Sequence, residues 1–131
     1  METDEETVTR DWLAGRFPAA FCCTETPPDM ASVLPVIRVL SLGGPETQLT
    51  IGKPSLSIAC FDVGRIAASA LAKQVFHDMR FRFPGYVFGM GASVNKVRTI
   101  SGPAFRPYDN TDLRCFGMTL QVTFHTIYAA T

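Results

Sequence analysis

The last third of the chain alternates apolar and polar residues with a period of two. The apolar positions are Phe116, Met118, Leu120, Val122 and Phe124, and small or polar residues stand between them. This is the period of a β-strand, whose successive side chains point to opposite faces. The pattern predicts a strand over 115–125 with one face on a core. Its other face, which is polar and uncharged, would face solvent, a lumen or another subunit.

Four further segments predict strands. A nearly continuous apolar run over 33–42 is typical of a strand covered on both faces, with Pro35 near its start. Alternation over 55–62 predicts a second strand, and residues 21–24 predict a short one. A fourth is predicted over 94–100, ended by Ser101-Gly102-Pro103, after which 105–110 reads as a turn-rich connection.

Two segments have helical spacing. Thr3 and Glu6 can form a capping box, which predicts a helix over about 4–15 with Val8 and Trp12 on its buried face. Asp62 is the predicted cap of a second helix, which ends near Phe83. The apolar face predicted for this second helix consists of Val63, Ile66, Ala67, Ala70, Leu71, Val75 and Met79. Its alanines would allow close packing on a sheet or on another helix.

The elements follow the order α-β-β-β-α-β-β. This order predicts one α+β domain over 1–131, with a mainly antiparallel sheet of four to five strands packed against two helices. A chain of 131 residues can bury a core large enough to fold without disulfides or metal.

Composition adds a reason to expect association. Charged residues make up 18% of the chain, against about 25% in an ordinary soluble domain. So little charge on a small body indicates that some apolar surface meets a partner, although the ten Phe residues could also mean a well-filled core.

The charges are unevenly distributed although their sum is zero. Residues 1–11 hold five acidic residues and one basic residue, and a basic excess lies over 80–114. This balance disfavours tight DNA binding by a monomer. Basic and aromatic residues alternate over 80–88, a pattern that single-stranded nucleic acid could use. The basic end of a helix explains the same residues.

Membrane insertion and secretion are not indicated. The chain has no apolar run of 18 residues, and its acidic start lacks the pattern of a signal peptide. Cys22, Cys23, Cys60 and Cys115 form no Cys-x-x-Cys pair, so we expect buried free thiols in a protein made in a reducing cytosol.

No motif predicts catalysis. His77 and His125 are far apart in the sequence, and nothing joins either of them to a cysteine as a base would be joined to its nucleophile. The glycines at 85, 89 and 91 follow a helix, whereas a phosphate-binding loop precedes one. We therefore expect no enzyme, catalytic residue, cofactor or metal.

Several landmarks, taken in order, resemble a known family. They are the 34–39 strand with Gly43-Gly44 after it, the 56–62 strand leading into an Ala-rich helix, residues 102–107, and the 113–116 opening of the last strand. Their order and spacing over 33–126 are similar to those of the tail terminator proteins of long-tailed bacteriophages, particularly the small forms of phages of actinobacteria.

The resemblance implies a structural virion protein. Such a protein forms a ring, commonly a hexamer, that caps the tail tube, stops its growth and joins it to head-completion proteins. Its partners would be copies of itself, the tube protein and a head-completion or stopper protein, with DNA passing through the lumen. It would be made in the host cytoplasm and reside in the tail or neck of the virion. The alternatives are a head-side stopper or adaptor, or a small module that binds single-stranded nucleic acid.

Low charge density points to two candidate contact regions, the polar face of 115–125 and the loop from Gly43 to Lys53. The basic residues between Arg80 and Arg114 could pair with the acidic amino-terminal segment of a neighbouring subunit. The residues predicted for a subunit or tube interface are Leu49, Arg98, Arg106, Arg114, Thr119, Gln121 and Thr123.

Overall fold

The computed structural model describes residues 5–25, 27–29, 32–42, 51–52, 54–88, 92–106 and 113–125. These residues form two helices, α1 (Glu5–Arg16) and α2 (Arg65–Phe81). They also form the strands β1 (Phe21–Cys23), β2 (Val36–Ser41), β3 (Ile51–Gly52), β4 (Ser55–Asp62), β5 (Val87–Phe88), β6 (Ala92–Arg106) and β7 (Arg114–His125).

All seven strands of the described residues belong to one sheet. Its order is β1-β2-β4-β7-β6-β5, and β3 pairs with the end of β7. The pairing is antiparallel throughout, except that β1 is parallel to β2. The predicted α+β class and the order of its main elements are confirmed, while the two-residue strands β3 and β5 are additions.

Both helices pack on one face of the sheet, here called the helix face. The apolar positions of β7 lie there together with Ile37 of β2 and Ile58 of β4, and α2 contributes Val75 and Met79. Each of these side chains is buried. The period of two in β7 therefore predicted the core side of the central strand correctly.

An aromatic cluster joins the two helices to the sheet. Phe83, which is fully buried just after α2, lies 4.6 Å from Trp12 of α1 between ring centroids, and it also contacts Tyr86 and Phe124. Arg16 at the end of α1 donates two hydrogen bonds, of 3.1 and 3.2 Å, to a carboxylate oxygen of Asp78 in α2. These contacts fix the helices relative to each other.

The predicted element boundaries hold to within about two residues, except in two strands. Strand β2 starts at Val36, after Pro35. Strand β6 is much longer than the predicted 94–100, because it runs on through Gly102 and Pro103 to Arg106. Irregularities in its register against β7 accommodate this passage. Of the connection predicted over 105–110, the first two residues thus belong to β6, and 107–110 lie outside the described residues.

The predicted cap of α2 needs revision, while the capping box predicted for α1 falls partly outside the described residues. The N-cap of α2 is Gly64 and makes no side-chain hydrogen bond, while the Asp62 carboxylate accepts from the backbone N–H of Val63. For α1, Thr3 lies outside the described residues, and the Glu6 carboxylate accepts from the backbone N–H of Ser41. Glu6 therefore connects α1 to β2.

The apolar face predicted for α2 is only half correct. Val75 and Met79 are buried, but Val63, Ile66, Ala67 and Ala70 are exposed. The residues packed on the sheet from the first half of the helix are instead Ala68 and Ala72. These small side chains let the helix lie close to the sheet, and the resulting rotation turns the larger Ile66 outward.

Candidate interaction surfaces

The sheet face opposite the helices is polar and cationic along β6 and β7. We call this side of the sheet the open face. Its β7 positions include Thr119, Gln121 and Thr123, which are half-buried, and their register partners on β6 are Ser101, Arg98 and Lys96 respectively. The structure thus brings Arg98 beside the three polar residues that the sequence predicted as a contact surface.

Arg106 extends the open face toward the start of β7. It pairs with Cys115, and its side chain lies across Gly117, where an added Cβ would come within 2.5 Å of the Arg106 Nε. The absence of a side chain at Gly117 therefore allows the Arg106 side chain to lie against the sheet. This is the close approach that explains a glycine in the middle of a strand.

Of the other two predicted interface residues, Arg114 is not part of this surface and Leu49 is not described. Arg114 is the register partner of Asp62 and has the parity of the helix face, and its guanidinium donates to the backbone oxygen of Leu113. Leu49 lies outside the described residues, as does most of the Gly43–Lys53 loop; its described part, Ile51–Gly52, pairs with the end of β7.

The far end of the open face has a core of its own. Val36, Phe61 and Cys115 are buried there under Leu113, with Val33 and Leu34 against them. The Arg38 guanidinium lies 5.3 Å from the centroid of the Phe61 ring. This end is closed by apolar packing, so the accessible part of the open face is its β6–β7 half.

On the opposite side of the sheet, exposed residues at the start of α2 form an apolar stripe. It consists of Ile66, Ala67 and Ala70 of the helix together with Val63, which precedes the N-cap Gly64, and Ile66 is 87% exposed. Positions 66, 67 and 70 share one side of the helix. Helix α2 therefore carries two apolar faces, and only one of them meets the sheet.

A groove runs beside the apolar stripe. It has a volume of about 490 Å³ and is lined by Ile66, Ala70, Phe116, Arg65 and Lys73, with Ser69 between them. The Arg65 guanidinium lies 4.4 Å from the ring centroid of Phe105, an exposed aromatic residue of β6. Apolar walls with cationic ends are features of a protein-binding surface.

The basic-aromatic segment after α2 does not form one surface. Arg80 donates a hydrogen bond to the Thr99 hydroxyl, and Phe83 is buried in the core with Tyr86 packed beside it. Phe81 and Arg82 are exposed. The segment is thus divided between core and surface, as expected for the end of a helix.

The cysteines are free and sheltered, as the sequence predicted. Cys23, Cys60 and Cys115 are buried and Cys22 is half-buried. Burial raises the pKa of Cys22 to about 11, an effect to which the neighbouring Cys23 adds, and burial also raises the pKa of Cys60. All four therefore stay as neutral thiols near neutral pH, which makes them poor nucleophiles.

His77 does not join a reactive cluster in the described structure. His77 is exposed on α2 beside Asp78, with 3.5 Å between its Nδ1 and a carboxylate oxygen. His125 is the last residue of β7. The described residues hold no group of three or more potential metal ligands.

Sequence reasoning included Lys96 only in the basic group over 80–114, not among the interface residues, and it missed Arg65 and Phe105. Lys96 is on the open face because of a register shift after Val94, which no period in the sequence reveals. Arg65 and Phe105 meet across α2 and β6, a tertiary contact. For Arg114 the sequence does indicate a position on the helix face, because Arg114 has the parity of Phe116.

The chain matches no protein-family model and no curated protein. Within the part of the chain that the structure describes, no helix is long and apolar enough to cross a membrane. The open face and the apolar stripe are therefore the features that bear on its function.

Proposed function

We propose that this protein is a structural subunit of a phage tail terminator ring, which ends the growth of the tail tube and joins it to head-completion proteins. The observation that carries the proposal is the second apolar face of α2. This face consists of Ile66 and its neighbours Val63, Ala67 and Ala70. It is apolar and exposed, and no element among the described residues covers it.

The apolar stripe supports association because of its position. A contiguous apolar patch on a small domain costs free energy when left in water, and such patches mark protein contacts. The groove beside it adds depth, and the Arg65 and Lys73 side chains at its ends can pair with carboxylates. We assign the contact between neighbouring subunits to this stripe.

A ring requires that neighbouring copies meet through two different patches. The apolar stripe of one copy would pack against another patch of the next copy, away from the cationic open face. A contact between unlike patches on successive copies is heterologous, and it closes into a ring when its rotation completes a full turn. In a closed ring every stripe is covered.

Growth of the sheet from one copy to the next is disfavoured at β6. Beyond its pairing with the two-residue β5, β6 forms an edge of the sheet. Its register shifts at three places, and it carries Lys96, Arg98 and Pro103. Bulges, charges and proline are the devices that protect an edge strand from pairing with another chain. Subunits would therefore meet through packed side chains, which permits a ring of defined size.

The sequence-based assignment of Arg98, Arg106, Thr119, Gln121 and Thr123 to a subunit or tube contact stays a prediction. Charged residues are depleted in the cores of protein interfaces, so the cations of the open face suit such a contact less well than the apolar stripe does. Subunit association therefore does not need this face.

Deletion of the gene in the phage that encodes it tests the function. A terminator is required to stop tube growth, so electron microscopy should show tails of uncontrolled length. Tails of normal length that fail to join heads would instead identify a head-side stopper and refute the assignment. Expression of the wild-type chain from a plasmid should restore normal tails, which controls for effects on neighbouring genes.

A further inference from the structure

We infer that the β6–β7 half of the open face binds the sugar–phosphate backbone of duplex DNA, weakly and without sequence preference. The inference rests on the charges and hydroxyls of this face and goes beyond the proposed function. Lys96, Arg98 and Arg106 supply the cations, while Thr119, Gln121 and Thr123 supply neutral hydrogen-bonding groups between them.

The charge of this surface has one sign. None of the open-face positions in β2, β4, β6 and β7 is Asp or Glu, so this part of the described sheet carries no carboxylate. Lys96, Arg98 and Arg106 form no ion pair with any described residue. Within the described part of the chain, their charges are therefore available to an external anion, although the chain as a whole is neutral.

The cations form a row that suits an extended polyanion. Lys96 and Arg98 stand opposite Thr123 and Gln121, and Arg106 stands opposite Cys115 at the other end of the same strand. At about 3.3 Å per residue along β7, the row is about 26 Å long. Lys, Arg, Ser, Thr and Gln side chains are the usual partners of phosphate oxygens in protein–DNA contacts.

The same surface lacks what single strands require. Proteins bind single-stranded nucleic acid by stacking bases on exposed aromatic rings. The open-face positions of β6 and β7 include no Phe, Tyr or Trp, and Phe61 of the neighbouring β4 is fully buried. These side chains thus favour contacts with the backbone of a duplex over contacts with unpaired bases. The strands β6 and β7 that carry them provide no element that could enter a groove and read the base sequence.

The number of cations sets the expected salt dependence. Each phosphate contact on a duplex contributes about −0.9 to the slope of log affinity against log salt. Three contacts predict that affinity falls about 40-fold when salt is raised from about 50 to about 200 mM. Removal of two contacts leaves a fall of only about 3-fold over the same range.

Fluorescence anisotropy with a labelled duplex of about 20 base pairs tests the inference on the full chain. The double variant Lys96→Gln/Arg98→Gln should bind more weakly and lose most of the salt dependence. The matched control is Arg10→Gln/Arg82→Gln, which removes the same charge from the helix side, outside the groove, and should bind as the wild type does. Circular dichroism melting confirms that both variants fold.

Gly117→Ala tests the position of Arg106 without changing any charge. The added methyl group would occupy the place of the Arg106 side chain, so the salt slope should fall by about one contact, as in Arg106→Gln. A variant that binds with the wild-type slope would show that Arg106 does not act from the position across Gly117, which removes it from the proposed site.

Four results would overturn the inference. The first is that the wild-type chain leaves the duplex unbound at about 50 mM salt, and the second is equal loss of binding in the two double variants. The third is tighter binding to a single strand of the same sequence, which would indicate stacking. The fourth is that Lys96→Gln/Arg98→Gln abolishes self-association while duplex binding persists, which would make the face a protein contact.

The mass of the protein in solution, measured separately by light scattering, shows whether the proposed ring forms, independently of DNA binding.

Discussion

Ile66→Glu is the substitution that separates association from folding most cleanly. Ile66 is 87% exposed, so its replacement removes almost no packing from the folded subunit. It is the second residue of α2, whose first turn contains no acidic residue. A carboxylate near a helix N-terminus is favourable by about 0.3–1 kcal/mol. We therefore expect the variant subunit to be as stable as the wild type or slightly more stable.

Ile66→Glu should weaken assembly strongly, although it leaves the subunit as stable as the wild type or slightly more stable. Full burial of an isoleucine side chain contributes about 1.5–3 kcal/mol, and this contribution is lost at every contact in the ring. Since about 1.4 kcal/mol corresponds to a tenfold change in affinity, each contact should weaken by about 10- to 150-fold. Burial of the new carboxylate adds a further cost.

The assay is mass measurement by light scattering over a dilution series, combined with urea denaturation. Val87→Glu is the matched control, because Val87 is also apolar and exposed but lies on β5, outside the apolar stripe. We expect Ile66→Glu to dissociate and Val87→Glu to assemble normally. Wild-type assembly by Ile66→Glu, at unchanged stability, would refute the assignment of the stripe to the subunit contact.

Three further predictions concern the folded subunit. Met79→Ala removes a fully buried side chain of α2. It should lower the free energy of unfolding, measured in urea, by about 2–5 kcal/mol. A loss below about 1 kcal/mol would contradict the described core. Arg16→Gln leaves the Asp78 carboxylate without its two guanidinium hydrogen bonds and should lower the free energy of unfolding by about 1–2 kcal/mol. The control Arg10→Gln, which removes an exposed ion pair, should leave the free energy of unfolding almost unchanged. Burial raises the pKa of Cys22 from 9.0 to about 11, so its contribution to stability is complete below pH 9 and is lost as pH rises from 9 to 11. Urea midpoints should fall less steeply over that range in Cys22→Ala than in the wild type, and equal slopes would contradict the pKa shift.

The fold was largely predictable because hydrophobic period and burial agree in the central elements. In β7 every second residue is apolar and every one of these is buried, and the alternation of β4 was equally informative. Strand β6 was cut short in the prediction because Gly102-Pro103 is a usual stop signal. In the structure Pro103 lies on the outermost long strand, where register shifts allow the strand to continue.

The candidate site was less predictable, for physical reasons that differ between its two parts. In α2 the spacing groups Ile66, Ala67 and Ala70 with the buried Val75 and Met79, whereas the structure leaves the first three exposed. Periodicity cannot say whether an apolar position meets its own sheet or another molecule. On the open face, parity placed Thr119 and its neighbours correctly. The position of the cations opposite them depends on register shifts in β6, which only the tertiary structure shows.

The central claim is that the chain works as one part of a closed ring, and the mass of the purified protein tests it most directly. Light scattering at high protein concentration should give the mass of a closed oligomer; six copies of a 14.3 kDa chain would weigh about 86 kDa. The same mass should persist across a range of concentrations, because a ring has no free contact left. A mass of 14.3 kDa at every concentration, with and without purified tail tubes, would contradict the account.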